Sequence, residues 1–386
     1  MTDDPRFAPF SADPQFRQGQ PGQPFPGQTQ TPPPIPPQSF PPEENSFLYG
    51  TGYMPAAPSP ERFEQKAIRR DMTIVGLIGL LWLGISLFFP VILQTVLFLL
   101  FPGKLYYEGT TLTGLPGIAQ IFDILCYIPM MLLPFVFYGL VVRIPFSVAI
   151  PLKRPRMLIT FAGFLMGMGV AMFANFCANG AISFFGIFGL VPNLPEPAVP
   201  TDLLGQILYL VSIAVFPAIL EEVAFRGILM QSLRRHGDIF ALIFSSVVFG
   251  FFHLNFAQAP FAMVVGAIMG YITLKAGSLI PAILIHFCNN LLSGLLSIAE
   301  LYLTESGYLL LNNLYLTVAL GLGIIGFFLF LSKDESAFFV RSKEDTVLTT
   351  RQRVKAGFSA PGLIVVMIIF GIFMLFSLSP IATPLI

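Results

Sequence analysis

The sequence predicts an all-α polytopic transmembrane helical bundle of about nine spans, preceded by a disordered N-terminal tail. The first reason is composition, because 55% of the 386 residues are hydrophobic and only 11% are charged, whereas soluble domains carry about 25% charged residues. The second reason is a series of apolar runs, each near the ~20 residues that cross a bilayer. The third is a regular alternation of basic and neutral loops between those runs.

The N-terminal segment, residues 1–60, differs in composition from the rest of the chain. It holds 16 of the 34 prolines, together with many Gln and Gly residues. Such a segment cannot bury enough apolar surface to offset the entropy that it would lose on ordering. We therefore expect a disordered Pro/Gln-rich cytoplasmic tail, and it lacks the apolar core of a cleavable signal peptide.

Nine apolar runs follow the tail and fall into three groups. Residues 72–190 hold three accessory transmembrane helices, residues 200–299 hold four helices that carry polar motifs, and residues 308–380 hold two further helices. The expected spans are 72–101, 117–142, 157–190, 203–233, 239–256, 260–275, 279–299, 308–332 and 361–380.

Loop charges indicate how these spans are oriented. Lys and Arg cluster before the first span and after the second, fourth, sixth and eighth, whereas the intervening loops contain only Lys104. Cytoplasmic loops carry the excess of Lys and Arg, so we expect a cytoplasmic N-terminus and an external C-terminus. The pattern and the short loops suit a multi-pass protein of a bacterial cell membrane, in contact with the lipid bilayer. No basic block is large enough to bind nucleic acid.

Three charged residues interrupt the apolar run of the fourth span: Glu221, Glu222 and Arg226. The glutamates lie roughly 20 Å from its cytoplasmic end, where a charge costs at least ~2.5–3.5 kcal/mol. Glu222 and Arg226 are four residues apart, so they can form an ion pair on one helical face. That pair does not account for Glu221, which points about 100° away around the helix.

Two of the three histidines lie inside predicted spans at a matching depth. Glu221 is 16 residues before the turn at Gly237 and His253 is 16 residues after it, so an antiparallel hairpin brings them level. His286 and Asn290 lie one turn apart on one face of the seventh span, at a similar depth. We expect these residues to converge on one interior pocket. The third histidine, His236 in the basic turn RRHGD, is expected to be solvated.

This set of residues suits hydrolysis of an amide bond. A carboxylate with a histidine can activate water as a general base, and a second His with an Asn can stabilise the oxyanion. Alternatively, Glu221, His253 and His286 could ligate Zn²⁺ or another divalent metal whose bound water attacks. Cys288 points about 160° away from Asn290, and no Ser or Cys nucleophile has a paired base. A site within the bilayer predicts a membrane-embedded or lipidated peptide or protein substrate.

Three motifs carry a resemblance to a known family. EEVAFR (221–226), FGFFH (249–253) and HFCNN (286–290) match EExxxR, FxxxH and HxxxN in order and spacing. Over roughly residues 200–296 the chain resembles the CPBP intramembrane proteases, also called the Abi or type II CAAX prenyl endopeptidase family. The resemblance implies a polytopic helical endopeptidase.

The resemblance also implies individual roles. The first Glu and the His of FxxxH activate water, the later His and Asn form the oxyanion site, and the second Glu and the Arg support it. The residues concerned here are Glu221, Glu222, Arg226, His253, His286 and Asn290. The family is usually described as metalloproteases, and a metal-free glutamate mechanism has also been argued, so both possibilities stay open.

The sequence leaves more than one substrate and more than one function open. Eukaryotic members of the family that the chain resembles trim prenylated CAAX proteins, and bacterial members are linked with bacteriocin self-immunity or peptide maturation. A non-catalytic immunity or scaffold protein would keep the pocket without cutting. A transporter would line a pathway with the same polar residues, but the chain halves show no inverted repeat. The intact motif set favours the protease.

Overall fold

Helices dominate the described part of the chain, residues 59–109, 111–193, 198–333 and 346–381 of a computed structural model, and the predicted all-α bundle is confirmed. The helices are α1 (Pro60–Leu100), α2 (Ile118–Val142), α3 (Phe146–Ala149), α4 (Met157–Gly186), α5 (Leu203–His236), α6 (Asp238–Phe251), α7 (Gln258–Ala276), α8 (Ile280–Glu300), α9 (Glu305–Lys333), α10 (Thr350–Phe358) and α11 (Pro361–Phe376). Two antiparallel ribbons pair β1 (Tyr106–Glu108) with β2 (Thr111–Thr113) and β3 (Leu190–Pro192) with β4 (Leu378–Pro380). The predicted disordered tail, 1–60, lies outside the described residues except for its last two positions.

Seven of the described helices are long and apolar enough to cross a membrane: α1, α2, α4, α5, α7, α8 and α9. An eighth span results if α10 and α11, which meet at a bend of 62°, cross as one. The predicted fifth span is the exception, because α6 has only 14 residues, fewer than the ~20 that cross a bilayer. The apolar run continues to residue 256, but the helix ends at Phe251 and the chain turns, with Leu254 at a φ of 49°.

α1 begins at Pro60 rather than at residue 72. Proline fits the first helical position, and the hydroxyl of Ser59 accepts a hydrogen bond from the Arg62 backbone N–H at 3.4 Å. The basic residues that the sequence places before the first span therefore lie on the first turns of α1. These residues are Arg62, Lys66, Arg69 and Arg70.

Contacts between loops show which helix ends lie together. Pairing of β3 with β4 joins the segment before α5 to the segment after α11, and Asn255 Nδ2 donates to the Asn193 carbonyl at 2.5 Å. Elsewhere the Leu279 backbone N–H donates to the Pro151 carbonyl at 2.9 Å. Each contact joins loops that the charge pattern places on the same side. Assignment of the basic side to the cytoplasm rests on the charge rule and stays a prediction.

Glycines allow two pairs of helices to pack closely. A Cβ on Gly169 of α4 would lie 2.5 Å from the Cα of Gly323 on α9, and a Cβ on Gly76 of α1 would lie 2.1 Å from the Gly362 carbonyl oxygen of α11. Small residues let transmembrane backbones approach each other in this way. The accessory helices are therefore packed directly on their neighbours.

The expectation that His236 is solvated is wrong. Its side chain is buried, and Nε2 lies 2.7 Å from an oxygen of the buried Asp71 on α1. Arg235 contacts the same carboxylate at 2.8 Å, and Arg353 Nη1 donates to the His236 carbonyl at 2.6 Å. Sequence reasoning assigned RRHGD to a solvated loop because it could not place α1 against the turn. This cluster ties α1, the α5–α6 turn and α10 together.

We expect His236→Ala to destabilise the protein. The change removes one partner of a buried carboxylate, a loss that typically costs about 1–3 kcal/mol. The apparent melting temperature of the detergent-purified protein measures the effect. Lys153→Ala, at an exposed position in another basic loop, is the control and should change the melting temperature little. An unchanged melting temperature in His236→Ala would refute the structural role of this cluster.

Candidate active site

The helix that carries the two glutamates, α5, is irregular. Two π-helical segments interrupt it, Val211–Val215 and Glu222–Leu229, and such segments occur frequently at functional sites. The second one begins within the EEVAFR motif. Because a π-helix has more residues per turn than an α-helix, the 100° spacing assumed from the sequence does not apply there. Both glutamates approach the same imidazole, that of His286.

Glu222 and Arg226 form the predicted ion pair. Arg226 Nη1 donates to Glu222 Oε1 at 2.9 Å, and both side chains are fully buried. The guanidinium carbon also lies 4.1 Å from the ring centroid of Phe249 on α6, a cation–π contact. Gly266 on α7 leaves room for the same group, because a Cβ there would lie 2.9 Å from Arg226 Nη2. Sequence reasoning missed both Phe249 and Gly266 as neighbours of this pair.

His286 joins the two carboxylates. Its Nδ1 lies 2.9 Å from Glu222 Oε1, and its Nε2 lies 3.7 Å from Glu221 Oε2. A carboxylate only accepts hydrogen bonds when it is ionised, so Nδ1–H donates to Glu222. The Nε2 side of the ring therefore faces the oxygen of Glu221 and the space next to it.

His253 lies beside this group, although not inside a spanning helix as predicted. It lies two residues beyond the end of α6, and its Nδ1 donates to the Phe249 carbonyl at 3.0 Å. The ring stands perpendicular to the Phe249 ring, with centroids 5.0 Å apart. The His286 ring lies against the same Phe249 ring, with centroids 6.3 Å apart. Because Nδ1 is committed to a carbonyl, Nε2 of a neutral ring carries the lone pair that can accept a proton.

Comparison with protein families identifies this region. Residues 203–292 match the family described as type II CAAX prenyl endopeptidase Rce1-like. This chain carries an Rce1-like domain. The match covers 90 of the 386 residues, contains all three motifs and is consistent with the CPBP resemblance. No curated protein and no solved structure matches the chain.

The Rce1-like family is a family of proteases, which supports a CAAX-type intramembrane endopeptidase. A membrane-associated substrate follows from that activity and from the long apolar helices. Carboxylates and imidazoles such as those of this domain are side chains that can act as general bases or acids.

Glu221 also has a hydrogen-bond partner outside the Rce1-like domain. Tyr127 of α2 donates its hydroxyl hydrogen to Glu221 Oε1. Sequence reasoning missed it because nothing in the apolar stretch CYIPMM fixes the depth of α2 relative to α5. The signal was a phenol, one of two in the predicted second span, which needs a polar partner when it is buried.

Asn290 lies one turn beyond His286 on α8, but its amide is bonded elsewhere. Asn290 Nδ2 donates to the Ile213 carbonyl at 2.9 Å, and its Oδ1 accepts from Asn289 at 3.2 Å. Ile213 precedes Pro217 by four residues, and proline has no N–H to complete the helical hydrogen bond to that carbonyl. Asn290 therefore donates to a carbonyl that cannot receive an N–H from Pro217 at the i,i+4 spacing.

We expect Asn290→Ala to lower stability as well as turnover, because it leaves the Ile213 carbonyl without this donor at a cost of about 1–3 kcal/mol. Pro217→Ala restores a backbone N–H near that carbonyl. In the double variant the loss of melting temperature caused by Asn290→Ala should therefore shrink. If the two changes lower the melting temperature additively, the coupling between Asn290 and Pro217 does not exist.

The oxygen of Glu221 that faces His286 is available for chemistry. Glu221 Oε2 is buried and hydrogen-bonds to no described protein atom, whereas Oε1 is bonded to Tyr127. One oxygen of Glu222, Oε1, accepts hydrogen bonds from both Arg226 and His286. Each carboxylate therefore keeps one buried oxygen, Oε2, without a hydrogen bond among the described residues, and the two differ in their Oε1 partners, which are Tyr127 for Glu221 and the two basic side chains for Glu222.

The residues do not fit a metal centre as they stand. Among residues 59–109, 111–193, 198–333 and 346–381, no three His, Cys, Asp or Glu side chains are arranged to hold a metal ion. The candidate set was Glu221, His253 and His286; the Nδ1 atoms of both histidines are bonded to protein oxygens, so only their Nε2 atoms are left as possible ligands. Metal binding therefore stays a prediction, and we derive no step from it.

Proposed function

We propose that this protein is an intramembrane endopeptidase that hydrolyses a peptide bond of a membrane-associated substrate with water activated by Glu221 and His253. The observation that carries the proposal is the buried Glu221 carboxylate, whose Oε2 makes no hydrogen bond to a described protein atom and lies 3.7 Å from His286 Nε2. The match to a CAAX prenyl endopeptidase family supports a lipidated substrate with a C-terminal CAAX sequence.

Charge balance supports a protonated His286. Glu221 and Glu222 contribute two negative charges and Arg226 contributes one positive charge, all in buried side chains. A buried charge is costly unless it is paired, and an imidazolium at His286 brings the sum to zero. Its Nδ1–H is held by Glu222, so its Nε2–H is the donor left for a substrate oxygen.

Hydrolysis then takes two steps. Glu221 Oε2 and the free nitrogen of His253 orient a water molecule, and Glu221 takes its proton as the hydroxide oxygen bonds to the scissile carbonyl carbon. The carbonyl oxygen becomes an oxyanion that the His286 Nε2–H stabilises. The carbon–nitrogen bond then breaks, and the proton on Glu221 passes to the departing amine.

A peptidase assay on the full chain in liposomes tests the proposal. The substrates are a prenylated peptide that ends in a CAAX sequence, the same peptide without the prenyl group, and a single-span transmembrane peptide. We expect release of the C-terminal tripeptide from the prenylated peptide, detected by mass spectrometry, and no release by Glu221→Gln. Equal cleavage by Glu221→Gln, or no cleavage of any of the three peptides by the folded wild type, would contradict the proposal.

Elemental analysis tests the role of metal. Because no three donors converge in the described residues, we expect activity to survive a chelator such as EDTA and the purified protein to hold less than one divalent ion per chain. Loss of activity on chelation and its recovery with Zn²⁺ would instead establish a metal site, and His253→Ala should then lower the metal content.

A further inference from the structure

Helix α2, which lies outside the Rce1-like domain, runs parallel to α5 in a fixed register. Tyr127 bonds Glu221 and Tyr138 bonds Ser232, and in both pairs the partners are 94 positions apart. Two hydroxyl contacts with the same offset, separated by three turns, show that the two helices lie in one common register. The position of the Tyr127 hydroxyl is therefore set by the packing of α2 against α5, and not only by the rotamer of its side chain.

We propose that Tyr127 is a positioning residue: its hydroxyl orients the Glu221 carboxylate so that Oε2 is the oxygen that accepts the proton. The inference rests on the proposed function. The phenol donates its hydrogen to Oε1, because an ionised carboxylate can only accept. With Oε1 occupied, the carboxylate plane is fixed and Oε2 is the oxygen turned towards His286 Nε2 at 3.7 Å.

The hydroxyl also keeps Glu221 from a competing arrangement. The nearby cations are Arg226 and an imidazolium at His286, and both already contact Glu222 Oε1. If the Glu221 carboxylate were free to rotate, it could turn towards the same cations, and its oxygen would no longer face the water molecule. A hydrogen bond to a charged group is worth more than a neutral one, so the Tyr127 contact is strong enough to favour the working orientation.

Tyr127→Phe tests the inference, with Tyr138→Phe as the matched control. Both changes remove one hydroxyl from α2 that contacts α5, but the Tyr138 hydroxyl bonds Ser232 and not a carboxylate. We expect Tyr127→Phe to lower kcat on the order of 10- to 100-fold, with KM and the melting temperature unchanged. Tyr138→Phe should leave kcat at the wild-type value.

The outcomes separate this inference from the proposed function. If Tyr127→Phe keeps the wild-type kcat while Glu221→Gln is inactive, the inference is overturned and the proposed function stands. If Glu221→Gln retains activity, the proposed function itself fails. A fall in kcat that comes with a lower melting temperature, or a failure of Tyr127→Phe to fold, would show a structural role for the hydroxyl and would also overturn the inference.

Discussion

Glu221→Ala and His253→Ala should each lower kcat by about 10²–10⁴-fold, the usual contribution of a general base. Glu221 has a free buried oxygen, and His253 lies beside it with Nδ1 committed to the Phe249 carbonyl. Neither change removes a partner of the Glu222–Arg226 pair. The variants should therefore keep that pair, but Glu221→Ala also leaves the Tyr127 hydroxyl without its carboxylate partner, so the melting temperature is measured as well. The measurement is turnover of the prenylated CAAX peptide, normalised to folded protein.

The double variant gives a sharper test of the shared water. Residues that act as a unit show strongly non-additive losses, so Glu221→Ala with His253→Ala should lose little more than the worse single change. Cys288→Ala is the control, because Cys288 lies between His286 and Asn290 in sequence without a contact to either carboxylate among the described residues. Independent, multiplicative losses in the double variant would show that the two residues do not activate one water.

Much of the architecture could be predicted because lipid imposes simple requirements. A spanning helix must be long and apolar, so the bounds of α2 and α8 lie within a residue or two of the predicted spans. Hydrophobicity alone failed at α6, because an apolar run does not show where the helix stops and a buried loop begins. His253 is in that loop.

The predicted site residues come together only in part as expected. The Glu222–Arg226 pair followed from i,i+4 spacing alone, and it is present. The π-helical segment, which lets both glutamates approach His286, has no signature in hydrophobic periodicity. Tyr127 depends on the register of two helices that are distant in sequence, and spacing within one motif cannot reveal such a contact.

The bond made by Asn290 illustrates a different limit. A proline in a helix removes a donor, so the Ile213 carbonyl could have been recognised from Pro217 as an oxygen in need of a partner. Which helix would supply that partner depends on the packing of α8 against α5. The structure shows that Asn290 supplies it, which joins the third motif to the helix of the first.

Arg226→Ala and Glu222→Ala should each destabilise the folded protein by about 3–5 kcal/mol, the typical cost of breaking a buried ion pair. Removal of Arg226 leaves Glu222 with His286 alone, and removal of Glu222 leaves Arg226 over the Phe249 ring without a carboxylate at bonding distance. The measurements are the apparent melting temperature and the half-life in detergent, since unfolding of membrane proteins is often irreversible.

The chain supplies a control pair at the end of the same helix, between Arg234 of α5 and Asp238 of α6. Arg234 and Asp238 form another i,i+4 pair at 2.6 Å, but the Arg234 side chain is 43% exposed, and exposed pairs contribute about 0–1 kcal/mol. Arg234→Ala should therefore lower the melting temperature much less than Arg226→Ala. Replacement of Glu222 and Arg226 together by Met and Leu should cost less than either alanine change, because no buried charge is left unpaired. A double variant that is less stable than both single variants would show that these residues do not stabilise the fold as a pair.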